Sequence, residues 1–212
     1  MISLSNTFVT SSRKEQSIMN IPTVKELKPD ILTHPNIPKP LHRVNPRLIM
    51  GKTKWNIVRR EAYRSSDYHC VGCGVHESNA KKKQQLEAHE YYNMDYDKGR
   101  VEIVSIEPLC LYCHTFIHSG LLSISVVKKW RTPQEAVEIL EHGFKILSAN
   151  KLQAFPLTLQ LAKKFGAQTY RVKPYTLAIS NIVEWGDWRL VWDGKEYSPK
   201  FATYEDWLRN YK

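Results

Sequence analysis

A chain of 212 residues with 42% hydrophobic side chains, six Trp and eleven Tyr can bury a core, which excludes disorder throughout. Its formal charge of +10 points to an acidic partner, and the excess is local: residues 1–60 hold eleven Lys/Arg against three Asp/Glu, a local +8, while residues 61–130 come to −1 and the remainder to +3. No apolar run approaches the ~18 residues that cross a bilayer, and Met1–Ser17 lacks the charged start and apolar core of a secretory leader, so a cytoplasmic, intracellular location is expected.

Residues 1–50 read as a basic, proline-rich arm. Pro22, Pro29, Pro35, Pro38, Pro40 and Pro46 recur too closely for a long helix, and nucleic acid is the natural polyanion for such an arm. A helix is predicted over Lys52–Tyr63, with Trp55, Ile57, Val58 and Ala62 on one side and Lys54, Arg59, Arg60 and Arg64 on the other. Those cations make either a solvated face or phosphate contacts. Tyr68–Val75 reads as a metal-type turn, and the polar stretch after it carries Lys81, Lys82 and Lys83, again a solvated loop or a phosphate contact. Strands are predicted at Leu86–Tyr92 and Val101–Ile106, and a short helix at Leu111–His118.

These elements, 51–131, read as one domain, and 132–212 as a small accessory module. Thr132-Pro133-Gln134-Glu135 is a capping box that starts a helix to about Ser148. Pro156–Phe165 is a second helix closed by Gly166. Trp188–Tyr197 alternates around Asp193-Gly194, a type I′ hairpin signal, and Thr203 caps a last helix containing Trp207 and Leu208. The fold class expected is α+β.

The chemistry concentrates between Cys70 and His118. Cys70-Val71-Gly72-Cys73 and Cys110-Leu111-Tyr112-Cys113 each leave two residues between thiols, so one turn aims two sulfurs at one point, and 36 residues separate the pairs. In a reducing compartment four such cysteines read as ligands of structural zinc at about 2.3 Å. An iron–sulfur centre or two redox pairs are the other readings of this spacing. A four-thiolate site is closed and cannot activate water, so any reaction needs other side chains. Three histidines flank the second pair: His89 before it, and His114 and His118, four apart and on one face of a helix. Held by these, a divalent ion would keep open positions for a phosphate oxygen and water. His34, His42, His69, His76 and His142 read as ordinary satisfied polar residues, and Tyr91, Tyr92 and Tyr96 as packing residues or stacking platforms.

The order Cys-x-x-Cys, then Leu86-Glu87-Ala88-His89-Glu90, then Pro108-Leu109-Cys110-Leu111-Tyr112-Cys113-His114-Thr115-Phe116-Ile117-His118 resembles the HNH (ββα-metal) endonucleases over residues 52–120, about a third of the chain. Members are common in phages, mobile elements and restriction systems. The resemblance implies a β-hairpin on a helix with one divalent ion (Mg²⁺, Mn²⁺, Ni²⁺ or Zn²⁺) between them, a four-cysteine zinc ribbon, and hydrolysis of phosphodiester bonds in DNA. The family ends its first strand with a metal-binding residue followed by a general-base His. Here His89 falls on the first position and Glu90 on the second. Shifted by one, His89 becomes the base but Ala88 cannot bind metal. Basicity favours His89 as base, because a carboxylate is about two pKa units weaker. Register favours it as ligand, so both assignments stand at this point. Ser105 occupies roughly the place of the family's Asn. These departures keep open a second expectation, a zinc-ribbon DNA-binding protein of HNH descent that has lost cleavage.

Overall fold

The computed structural model describes residues 26–82 and 85–210. The first half of the expected arm, residues 1–25, and Lys83 therefore lie outside the described residues. The described chain is α+β, with a four-stranded mixed sheet and six α-helices. Among the described residues no helix is long and apolar enough to cross a membrane.

The centre of the molecule is a long antiparallel hairpin. Strand β1 (Leu86–Asp95) pairs with β2 (Arg100–Cys110) from Leu86↔Cys110 to Asp95↔Arg100, with a register shift at Tyr91/Tyr92. Helix α2 (Leu111–Ile117) follows β2 without a loop, and α3 (Ser119–Val127) follows α2 after the single residue His118. The sequence reading begins a short helix within Leu111–His118 and does not separate a second helix after it. Leu121, Ile124 and Val127 leave α3 apolar on its exposed side, so it shows no clean amphipathic stripe.

Because strand side chains alternate, the hairpin serves two cores. On one side Ile106, Ile103 and Val101 pack with Trp55 and Ala62 of α1 (Pro46–Ser65, broken at Gly51) and with Leu41, Trp188 and Leu190. On the other, Leu86, Leu109 and Phe116 pack with Ile31, Leu32 and with Ile139, Leu140, Phe144 and Leu147 of α4 (Pro133–Ala149). Each such side chain contributes roughly 1.5–3 kcal/mol on burial.

Two regions that the sequence reading separates from 51–131 are built into these cores. The latter half of the arm docks on the rest of the chain: Ile31, Leu32 and Leu41 are buried within two short 3₁₀ turns, Pro29–Thr33 and Lys39–Leu41. Proline spacing forbids a long helix but says nothing about docking, and three apolar side chains decide that. The residues after 131 likewise have no core of their own. Helix α4 and α5 (Pro156–Phe165) share the first core, and β3 (Arg189–Trp192) joins the central sheet parallel to β2, with β4 (Lys195–Tyr197) on its outer edge. The Asp97 carboxylate accepts from the Ser180 and Asn181 N–H groups at 2.7 and 2.9 Å and ties the hairpin tip to the segment leading into β3.

The local signals hold at these places. Thr132 and Glu135 form the reciprocal capping box, and α5 starts at Pro156 and ends at Gly166. Asp193 and Gly194 both take positive φ, 51° and 68°, as a type I′ turn requires. Thr203 Oγ1 accepts from the Asp206 N–H at 3.2 Å at the start of α6 (Tyr204–Asn210).

Candidate metal centres

Two groups of potential metal ligands are built where the hairpin meets α2, and each takes two of its members from that helix and its caps. The first is Cys70, Cys73, Cys110 and Cys113, whose sulfurs all lie within 4.8 Å of one another. The first pair sits on a tight turn. Gly74, at φ +76°, lets the chain reverse, Gly74 N–H donates to Cys70 O at 2.7 Å, and Cys70 N–H donates to Val75 O at 2.9 Å. The second pair caps α2: Cys110 precedes the helix, and its sulfur accepts from the Cys113 N–H. Val71 N–H donates to Pro108 O at 3.0 Å and brings the two turns together. At Gly72 a Cβ would stand 3.3 Å from Cys113 Sγ and 2.8 Å from Leu32 Cδ1, so the turn packs closely against both the sulfur and the first core.

The spacing fits a tetrahedral ion. Sulfurs at about 2.3 Å around a tetrahedral centre stand about 3.8 Å apart, and Cys73 Sγ and Cys110 Sγ are 3.8 Å apart. The thiols cannot all ionise unaided. Cys110 is pushed down, first by the hydrogen bond from Cys113, while Cys113 is pushed well up, first by its bond to Cys110. A cation removes that conflict. The cluster can therefore hold a metal ion such as zinc. His142 Nε2 lies 3.4 Å from Cys113 Sγ, and its ring stands edge-on to Tyr112. The sequence offers no signal for that partnership, since His142 comes from α4.

The second group is His89, His114 and His118, whose ligand atoms also lie within 4.8 Å of one another. His89 comes from the middle of β1, while His114 and His118 are one turn apart at the end of α2. The ring centroids are 4.7–5.3 Å apart, and all three pairs are edge-to-face. His89 is 2% exposed, yet neither of its ring nitrogens has a hydrogen-bond partner. An unpartnered buried polar group costs about 1–3 kcal/mol, so this ring fits a bound ligand better than a packing role. Burial, followed by the charge of its histidine neighbours, holds His89 well below the ordinary imidazole range. The same causes lower His118 to about 4. Both are neutral at pH 7, the state in which imidazole binds metal. An imidazole trio fits a borderline divalent ion and leaves coordination positions over.

Glu90 does not join the trio. It pairs with Ile106, and strand alternation puts it on the face opposite His89, where burial pushes its carboxyl up. Three groups that the sequence reading leaves out of the site do reach the trio's face. Glu87 Oε2 lies 2.7 Å from His114 Nδ1. Glu107, opposite His89 in the ladder and fully buried, accepts from Lys28 Nζ at 2.7 Å and from Ser105 Oγ at 2.6 Å. Ser105 is therefore tied to a carboxylate two residues away in its own strand. His34 lies tilted 4.3 Å from Tyr92 and 6.2 Å from His89 between ring centroids, and burial lowers it to about 4. Strand period would have placed Glu87 beside His89; the other contacts depend on long-range packing. The remaining histidines of the ordinary class include His69 and His76, held by Asp67 O and Ser78 Oγ, and His42, held by Ile37 O and Trp207.

The candidate phosphate contacts are dispersed. Arg59 donates to Asn56 and lies over Tyr63, Arg64 pairs with Glu61 at 2.8 Å, and Arg60 is exposed on α1. Lys81 lies over the Tyr112 ring, and Lys82 pairs with Glu135 at 2.6 Å, beside the α4 cap. No protein-family model, curated protein or solved structure matches this chain.

Proposed function

We propose that the protein is a metal-dependent endonuclease of the HNH type that hydrolyses phosphodiester bonds in DNA. The observation that carries this reading is the convergence of His89, His114 and His118 beside a separate four-cysteine group, with both nitrogens of His89 buried and unpartnered. The order strand, strand, helix, with one histidine on the first strand and two on the helix, is the arrangement that the ββα-metal resemblance implies. The net charge of +10 suits a polyanionic substrate.

In this reading the three imidazoles are ligands, and His89 takes the ligand role that its register gives it. The imidazoles would hold a divalent ion, which when bound would supply charge stabilisation at the scissile phosphate and the departing 3′ oxygen. Three nitrogen donors favour Ni²⁺ or Zn²⁺ over Mg²⁺ and Mn²⁺, which prefer oxygen. Glu90, on the far face, is poorly placed to take a proton from water. That leaves the near face, where His34 brings a fourth neutral imidazole. The cysteine group, loaded with zinc, would hold the hairpin against α2, since reacting groups need placement within fractions of an ångström.

The test is a supercoiled-plasmid assay with Mg²⁺, Mn²⁺ or Ni²⁺ added in turn. Nicked or linear product that disappears in His89→Ala and His118→Ala supports the enzyme. Plasmid that is retarded in a gel but stays intact with every ion would instead support a DNA-binding protein that has lost cleavage.

A further inference from the structure

The pair between Glu87 and His114 crosses the seam between the hairpin and α2. Glu87 sits two residues before His89, so both side chains leave β1 on the same face. Its ladder partner is Leu109, next to Cys110, at the end of the hairpin that the cysteine group anchors. From there its carboxylate reaches Nδ1 of His114 at 2.7 Å, a distance at which an N–H donates to a carboxylate oxygen. An imidazole has two nitrogens, and a neutral one carries its proton on only one of them. With Nδ1 donating to Glu87, the lone pair is on Nε2, and Nε2 is the nitrogen that His114 has left for an ion. Glu87 is not within ligand reach of all three histidines, since the group that converges contains the imidazoles alone.

We propose that Glu87 is a positioning residue for the histidine site: it holds His114 in the Nδ1–H tautomer with its ring turned so that Nε2 is available to a divalent ion. This rests on the reading of the trio as an ion site and does not depend on the ion's being used for cleavage. Metal-bound histidines generally donate their second nitrogen to a carboxylate or carbonyl, and loss of that partner costs 10–100-fold in affinity. Here the partner comes from the strand that also carries His89, so one short stretch of β1 supplies a ligand and orients another.

The test uses full-length protein with its cysteines loaded with zinc, and Ni²⁺ alone as the probe. Long-range ¹⁵N–¹H spectra of the imidazoles at neutral pH, before Ni²⁺ is added, should show His114 as the Nδ1–H tautomer, against the preference of a free imidazole for Nε2–H. Glu87→Ala should return His114 to Nε2–H and weaken Ni²⁺ binding by calorimetry roughly 10–100-fold, while the far-ultraviolet spectrum and zinc content stay unchanged. Glu87→Gln, whose amide oxygen can still accept from Nδ1–H, should recover most of the affinity. The proposal is overturned if wild-type His114 is the Nε2–H tautomer, or if Glu87→Ala binds Ni²⁺ as tightly as wild type. Wild type that binds no Ni²⁺ at the histidines overturns the ion site and this role together. A tautomer switch and affinity loss in a protein that never cuts DNA would uphold the role of Glu87 and defeat the nuclease reading.

Discussion

Helix α2 and its caps contribute two of the four sulfurs and two of the three imidazoles, Cys110 and Cys113 at its start and His114 and His118 toward its end, and the two groups are put together by different means. Each Cys-x-x-Cys turn places two sulfurs through its own backbone, so only the meeting of the two turns is long-range. The result has four like donors about one point and no position left for a further ligand. The histidines come one from a strand and two from a helix, and the orientation of one ring depends on Glu87. Three donors leave an ion partly open. A closed group suits holding the chain together. An open one, with a buried unpartnered ring, suits holding something that comes and goes.

The sharpest way to break that comparison is to remove each group in turn. Zinc bound by four cysteines contributes on the order of 10 kcal/mol or more, comparable with the ~5–15 kcal/mol total stability of a domain. Cys113→Ser, or strong chelation, should therefore abolish the cooperative thermal transition followed by circular dichroism, because Cys70, Cys110 and Cys113 are buried among residues of the first core. His118→Ala should leave a cooperative transition. If the cysteine variant melted like wild type, the cysteine group would not be what holds the chain together.

Acid gives the next largest effect. His118 has a folded pKa of about 4 against an ordinary 6.5, so the unfolded chain takes up the proton first. Its contribution is complete above pH 6.5 and is lost as pH falls toward 4, by up to roughly 3 kcal/mol. Urea midpoints at pH 7.5, 6 and 5 should fall steadily in wild type and fall less in His118→Leu. The variant is needed as a control because acid also releases zinc from thiolates. Parallel curves for the two proteins would show that His118 is not buried as a neutral ring.

What could be read from the sequence divides along the same line. The two Cys-x-x-Cys turns, the α4 cap at Thr132–Glu135, the start and stop of α5 and the Asp193-Gly194 turn each depend on residues within a few positions of one another. The convergence of His89 with His114 and His118 was legible through a family pattern. The faces of Glu87 and Glu90 relative to His89 follow from the two-residue period of a strand. The packing of Ile31 and Leu41, the parallel pairing of β3 on β2 and the approach of Lys28 and His34 were not legible. Each of these depends on contacts between distant segments, or on a register that only the folded ladder fixes.

A smaller effect bears on how α2 is seated. A Cβ at Gly143 would stand 2.2 Å from the ring of Phe116, the residue midway between His114 and His118. Gly143→Ala should cost about 1–3 kcal/mol through overpacking, read as a lower urea midpoint, and should weaken Ni²⁺ binding at the histidines because α2 must shift. Adding Phe116→Leu should recover part of the stability. An alanine variant as stable as wild type would mean that α2 and α4 are less tightly packed than described.

The smallest effect has the opposite sign, and it separates the two groups most directly. His89 occupies a core position on β1 with two ring nitrogens that find no protein partner. Leucine is of similar bulk, lacks the polar atoms and suits a strand interior. His89→Leu should therefore raise the stability of the protein free of any ion at the histidines by about 1 kcal/mol, within the range an orphaned polar group costs, while abolishing Ni²⁺ binding there. No cysteine of the other group should behave this way if the four thiols hold an ion that the fold depends on. Proteins commonly give up stability where a site must stay available to a ligand. A His89→Leu protein that melts at a lower temperature than wild type, both free of added ion, would mean that the ring is held by interactions that favour the fold, and that its burial is packing and not preparation for an ion.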